Sequence, residues 1–286
     1  MSNCESCESR SNCSSQPSEC GSAGNERVHT PEKLPQHDLA SVRHVIGICS
    51  GKGGVGKSMV TALTAVELAR AGLTVGILDA DLTGPSIPRL FGLRGQLSGS
   101  EHGIFPAQSH NGIQIISVNL MLENADAPVI WRGPVISGVV KQFWTDVIWD
   151  TLDVLLIDMP PGTGDVPLTV FQSIPLDGII MVSTPQDLVS MIVRKARNMA
   201  LMMGVKVLGF VENMSLMKCP CCGEEINVFG PGYTEAAAAE MNVPLFDRLP
   251  IQSQLAELAD EGRIEEAPAG LLPNLITALK SIIAKP

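Results

Sequence analysis

Val45-Ile46-Gly47-Ile48-Cys49-Ser50-Gly51-Lys52-Gly53-Gly54-Val55-Gly56-Lys57-Ser58 joins a short apolar run to a glycine-rich loop. Its last eight residues satisfy G-x-x-x-x-G-K-S/T, and a stretch of helical composition, residues 59–71, follows. Strand, glycine loop, helix is the order that a phosphate cradle requires. The glycines let the backbone curl until successive N–H groups converge on phosphate oxygens. The helix adds its positive N-terminus. The pattern predicts an ATP site built from Gly51, Lys52, Gly53, Gly54, Val55, Gly56, Lys57 and Ser58. Lys57 is expected on the β- and γ-phosphates, and the Ser58 hydroxyl on Mg²⁺. Lys52, near the start of the loop, offers a second cation. Its expected role is to meet the γ-phosphate of a nucleotide held by a second subunit, much as an arginine finger acts in trans.

Outward from the loop, residues 74–78, 154–157, 178–182 and 207–211 repeat the short, nearly continuous apolar run of residues 45–49. Strands apolar on both faces belong in a parallel sheet covered by helices on both sides. Residues 59–71, 134–149 and 188–203 read as the intervening helices, the first stopping at Gly72, a residue suited to a left-handed cap. The alternation predicts an α/β fold: a doubly wound, mainly parallel sheet with its chemistry at the carboxyl ends of the strands. That domain is expected over residues 37–286. Residues 1–36, rich in Ser, Cys and Glu and poor in large apolar side chains, read as a disordered tail.

Two carboxylate clusters end predicted strands. Asp79-Ala80-Asp81 closes one, and Asp158-Met159-Pro160-Pro161-Gly162-Thr163-Gly164-Asp165 closes another. An acid at the end of a buried strand beside a phosphate loop suits a water-bridged bond to Mg²⁺, which is the expectation for Asp158. Asp81 is expected to orient the attacking water. Asp79 has a less definite place. The Pro-Pro-Gly-Thr-Gly loop is expected to move when the γ-phosphate leaves.

The 286 residues carry a formal charge of −10 and are 45% hydrophobic, which supplies a core and argues against nucleic-acid and anionic-membrane partners. No apolar run has the ~18 residues needed to span a bilayer, and the first residues resemble no secretory leader, so the expected location is cytoplasmic. Eight cysteines in that setting point to metal or redox chemistry rather than disulfides. Cys219-Pro220-Cys221-Cys222-Gly223 supplies C-x-x-C through Cys219 and Cys222, half of a four-ligand site. Spacing alone leaves zinc and an iron–sulfur cluster equally open. It also leaves open whether a two-fold partner or the tail completes the set. Cys221 reads as a bystander and Cys49 as core. Cys4, Cys7, Cys13 and Cys20 form a second set in the tail.

The G-K-G-G-x-G-K-S loop marks the deviant Walker A NTPases, which include the nitrogenase iron protein, MinD and ParA and work as nucleotide-sandwich homodimers. Residues 40–265 resemble one branch, the Mrp/ApbC family, related to the eukaryotic cytosolic iron–sulfur scaffold ATPases. The matching stretches are the loop at 51–58, Asp79-Ala80-Asp81-Leu82-Thr83-Gly84-Pro85-Ser86-Ile87-Pro88, Trp131-Arg132-Gly133-Pro134, Asp158-Met159-Pro160-Pro161-Gly162-Thr163-Gly164-Asp165, Ser183-Thr184-Pro185-Gln186 and Val211-Glu212-Asn213-Met214-Ser215. The resemblance implies a homodimer, slow ATP hydrolysis, and a labile 4Fe–4S cluster bridged by Cys219 and Cys222 of both subunits and passed to apo-proteins. It places Asn213 at adenine. The eukaryotic scaffolds share C-x2-C-x5-C with Cys4, Cys7 and Cys13, but their remaining ligand precedes that triplet, whereas Cys20 follows it here. Two competing readings share the fold. A MinD- or ParA-like positioning switch would want a basic patch or membrane helix, and residues 271–286 hold only Lys280 and Lys285. An electron donor like the nitrogenase iron protein would keep the bridged cluster and release electrons alone.

Overall fold

The structure is a computed structural model that describes residues 33–81, 84, 86–121, 133–186, 203–219, 221–230 and 232–284. The tail cysteines Cys4, Cys7, Cys13 and Cys20 lie outside the described residues, as do Leu82, Thr83, Pro85, Trp131, Arg132 and nearly all of the expected helix 188–203.

Twelve strands are described: β1 (Ser41–Ser50), β2 (Val75–Asp79), β3 (Gly99–Ser100), β4 (Gly103–Ile104), β5 (Ala107–Gln108), β6 (Gln114–Ser117), β7 (Thr151–Asp158), β8 (Gly178–Ser183), β9 (Val207–Glu212), β10 (Met217–Lys218), β11 (Glu225–Ile226) and β12 (Leu245–Arg248). Eight of them form one sheet in the order β12-β9-β8-β1-β7-β2-β6-β5, parallel throughout except where β5 meets β6. β3–β4 and β10–β11 are separate antiparallel hairpins. The helices that flank the site are α1 (Lys57–Arg70), α2 (Ile87–Leu90), α3 (Gly133–Thr145) and α4 (Asp165–Ser173). Among the described residues three more follow, at Thr234–Glu240, Ser253–Glu261 and Pro273–Ile283. No helix among the described residues is long and apolar enough to cross a membrane.

The period of two along each strand divides the core. Ile46 and Ile48 of β1, Ile77 of β2 and Leu156 of β7 face α1 and the last helix, meeting Val60, Leu63, Leu275 and Leu279. Val45, Leu78, Leu155 and Ile157 face the other way, onto Phe143, Trp144 and Phe171 of α3 and α4. Each such side chain removed from water contributes roughly 1.5–3 kcal/mol, and both faces of the sheet are covered. Residues 33–36, placed with the tail on composition, bond to the body. Leu34 N donates to the Ser173 carbonyl at 2.8 Å, and the Trp144 indole donates to the Leu34 carbonyl at 2.9 Å.

Register places the chemistry. Asp79 and Asp158 are direct partners across β2 and β7, and Ile48 of β1 lies opposite Asp158. The last residues of the central strands therefore meet in one row along the carboxyl edge of the sheet. α2, which follows the Asp79–Ser86 loop, is held by a backbone-to-backbone contact. Gly92 has φ 63° and Gly262 φ 72°, and a methyl group built on Gly92 would lie 2.8 Å from the Gly262 carbonyl oxygen. Gly92→Ala is expected to destabilise the domain by about 1–3 kcal/mol through overpacking and left-handed strain. Thermal unfolding should show this as a fall in Tm of about 2–4 °C for each kcal/mol.

Candidate nucleotide site and thiol hairpin

The glycine loop connects β1 to α1 as expected and opens onto a cleft of about 280 Å³ bordered by Lys52 through Met59, Asp81, Ser86 and Pro161. Gly56 carries φ 77°, a conformation that costs an L side chain roughly 1–2 kcal/mol. A methyl group on Gly56 would sit 2.2 Å from Asn213 Nδ2. Glycine is thus required twice over, for its backbone and for the close approach of β9's end.

Asp158 is the hub. It is 0% exposed and 2.6 Å from Lys57 Nζ, itself 6% exposed. The Ser58 hydroxyl donates to Asp158 Oδ2 at 2.6 Å, and the Thr61 hydroxyl donates to Oδ1 at 2.6 Å. A buried carboxylate costs several kcal/mol in lost hydration, which only a partnered arrangement offsets. Both oxygens are partnered here, one by the cation and a hydroxyl and the other by a second hydroxyl. Ser58 and Asp158 together offer the hard oxygen donors that Mg²⁺ prefers. Sequence reasoning missed Thr61. Its signal was a polar residue four positions after Lys57, on the same face of a helix whose neighbours are apolar.

Asp79 holds the loop that carries Asp81. Its carboxylate accepts from the Asp81 amide at 3.1 Å, the Ile87 amide at 3.4 Å and the Ser117 hydroxyl at 3.2 Å. Burial pushes this carboxyl well above the usual carboxylate range, and the neighbouring Asp158 charge pushes it the same way. Asp81 itself lines the mouth of the cleft. Lys52 also borders the cleft, and its ammonium donates to the side-chain oxygen of Gln186, just beyond β8. Asn213 sits behind the loop, donating from Nδ2 to the Val55 carbonyl at 3.0 Å.

Cys219 follows β10, and β10 pairs with β11 so that Met217 opposes Ile226 and Lys218 opposes Glu225. The turn between the two strands is closed by Gly223 N donating to the Cys219 carbonyl at 2.8 Å and Cys219 N donating to the Glu224 carbonyl at 2.9 Å. Cys219 is half-buried, while Cys221 and Cys222 are exposed. The backbone amides of Cys222 and Cys221 point at the Cys219 sulfur and hold its thiol below the usual range. A thiolate stabilised by amides is the form that binds metals. Among the described residues, no group of three or more His, Cys, Asp or Glu side chains is placed to hold a metal ion, so this turn offers an incomplete ligand set. Cys49 is different. Burial pushes it up to about 12, and its thiol lies 3.4 Å from the Met159 sulfur, in the core.

A glycine loop between a buried parallel strand and a helix, with a carboxylate at the end of the neighbouring strand, defines a P-loop nucleoside triphosphatase. The chain belongs to the NUBPL iron-transfer P-loop NTPase family, whose ParA family model matches residues 41–283. It is 44% identical over 274 residues to the iron-sulfur cluster carrier protein of Clostridium perfringens, covering 93% of this chain and 94% of that one. It is 40% identical over 252 residues to the cytosolic Fe-S cluster assembly factor CFD1 of Chaetomium globosum, covering 82% of this chain and 83% of that one. Among solved structures, a nucleotide-binding protein from Archaeoglobus fulgidus in complex with ADP matches with a TM-score of 0.72 and 45% identity, covering 79% of this chain and 90% of that one. The Pyrococcus furiosus cell-division ATPase MinD matches at 23% identity with a TM-score of 0.59, covering 84% of this chain and 99% of that one, a likeness of fold.

Proposed function

We propose that this chain is an ATP-dependent carrier of iron–sulfur clusters, acting as a homodimer in the cytosol. It would hold a labile 4Fe–4S cluster as cargo and pass it to apo-proteins. One observation carries the reading. The turn at Cys219 and Cys222 places two thiols, one half-buried and one exposed, on a single tight turn of a P-loop NTPase body, with backbone amides of Cys222 and Cys221 holding Cys219 below the usual thiol range. The relatives named as iron-sulfur cluster carriers and as a cytosolic assembly factor point the same way. A 4Fe–4S cluster takes four cysteine ligands. A two-fold axis through the turn would supply Cys219 and Cys222 from each copy.

For ATP, Gly53 to Ser58 bind the phosphates through their amides. Lys57 would exchange Asp158 for the β- and γ-phosphates, leaving the carboxylate and the Ser58 hydroxyl to hold Mg²⁺ and its water. Held by Ser58 and Asp158, Mg²⁺ would draw off the charge that develops on the phosphates. Asp81, held by Asp79 at the mouth of the cleft, orients the attacking water. Asn213 is assigned to adenine, and Lys52 to the partner's γ-phosphate. Hydrolysis is slow because that last cation is in place only in the closed dimer.

Anaerobic reconstitution of a chain beginning at Lys33 should give about four iron and four sulfide per dimer. Zinc bound tightly in protein purified without oxygen, with no iron, would sink the reading. Loss of iron and sulfide together to an apo-acceptor separates a carrier from an electron donor. We assign the four tail cysteines to a second cluster, so the full chain should hold more iron than the shortened one; equal content would show that they are not ligands.

A further inference from the structure

We propose that Met214 is the positioning residue through which nucleotide at the P-loop sets the placement of Cys219 and Cys222. The proposal rests on the carrier reading for what the sulfurs hold. Its test uses the sulfurs alone, so the two ideas fail separately.

Five residues separate Asn213 from Cys219, and nearly all are tied down. Asn213 is fixed to the P-loop through the Val55 carbonyl and to β8 through its own amide, which donates to the Ser183 carbonyl at 2.8 Å. On the far side, Ser215 N donates to the Leu249 carbonyl at 2.9 Å, and Ile251 N donates to the Leu216 carbonyl at 2.7 Å. Met217 bridges Ile251 on one side and pairs with Ile226 on the other. From Ser215 to the thiol turn the backbone is therefore one small, laddered unit. Met214 is the one covalent link between that unit and the residue clamped to the P-loop, while Leu249, whose amide donates to the Glu212 carbonyl at 2.8 Å, ties the unit to the end of β9.

The link has an unusual conformation and an unusual neighbour. Met214 has φ 56°, in the left-handed region that few non-glycine residues adopt. Its amide is held by Asn213 Oδ1 at 2.9 Å. A methyl group on Gly56 would lie 3.8 Å from Met214 Cε, so the side chain packs next to the loop whose amides receive phosphate. A shift of the loop on binding nucleotide has one covalent route to the thiol turn, through a residue that touches the loop. Two packed arrangements of such a joint are the physical element that coupling requires.

The test uses the full chain with Cys4, Cys7, Cys13, Cys20 and Cys221 replaced by serine and no metal added, leaving Cys219 and Cys222 as the accessible thiols. Their alkylation by iodoacetamide is timed with and without Mg·AMPPNP. The rate should change about fivefold or more, the lower end of ordinary coupling. Met214→Gly, which frees the backbone, and Met214→Asn, which keeps the left-handed turn but loses the side chain, should bring the ratio to within about twofold of one. Met214→Leu, which keeps bulk against Gly56, should retain it. AMPPNP affinity should stay unchanged in all three. A rate indifferent to nucleotide in the parent, a full response in both Met214→Gly and Met214→Asn, or loss of response together with loss of affinity would overturn the proposal.

Discussion

Cys219→Ser and Cys222→Ser should each leave the shortened chain with no stable cluster after anaerobic reconstitution, read as loss of the brown iron–sulfur absorbance and of protein-bound iron. The effect is large because symmetry doubles it. Each substitution removes two of four ligands, and a serine hydroxyl is neither soft nor ionised near neutral pH. Cys221→Ser should retain the cluster. Cys221 contributes its backbone amide to the Cys219 sulfur, and serine keeps that amide. Loss of iron in Cys221→Ser alone would reassign the ligand pair.

Lys52→Gln should lower ATP turnover at least about tenfold, or roughly 1.4 kcal/mol of barrier, with little change in the affinity of a single subunit. The geometry separates the two loop lysines. Lys57 is committed to Asp158 at 2.6 Å, inside its own site. Lys52 reaches along the rim to Gln186 instead. A lysine on the rim can turn to a facing subunit, where a trans-acting cation contributes ~10³–10⁵ in rate in related chemistry. Mixing Lys52→Gln chains with Asp81→Asn chains tests this directly. If Lys52 acts across the interface, one site of each mixed dimer has neither defect, and activity partly returns. If it serves its own nucleotide, every site stays defective and mixing restores nothing beyond the residual turnover of the separate variants.

The parallel strands were legible because burial on both faces writes them as continuous apolar runs. β1, β2, β7, β8 and β9 all fall where those runs do. β6 has four residues and begins at Gln114, too short for such a run. β12 was hidden by Asp247 and Arg248, and the structure explains the acid. Asp247 is buried and accepts from the Leu275 amide at 2.8 Å, at the start of the last helix, where a carboxylate is favoured. A partner 28 positions away leaves no local trace. The same division runs through the site. The P-loop and Asp158 are local patterns with a required order, and were readable. The clamps of Asp79 on Ile87 and Ser117, of Lys52 on Gln186 and of Asn213 on Val55 depend on tertiary approach, and no spacing announces them.

The Lys57–Asp158 pair also makes nucleotide binding a substitution reaction. An arriving triphosphate finds its principal cation already engaged by an anion, with two hydroxyl groups completing the shell. Lys57 and Asp158 thereby compensate each other's charge in the interior of the protein. Affinity then reflects the difference between two ionic bonds to one lysine rather than the strength of either.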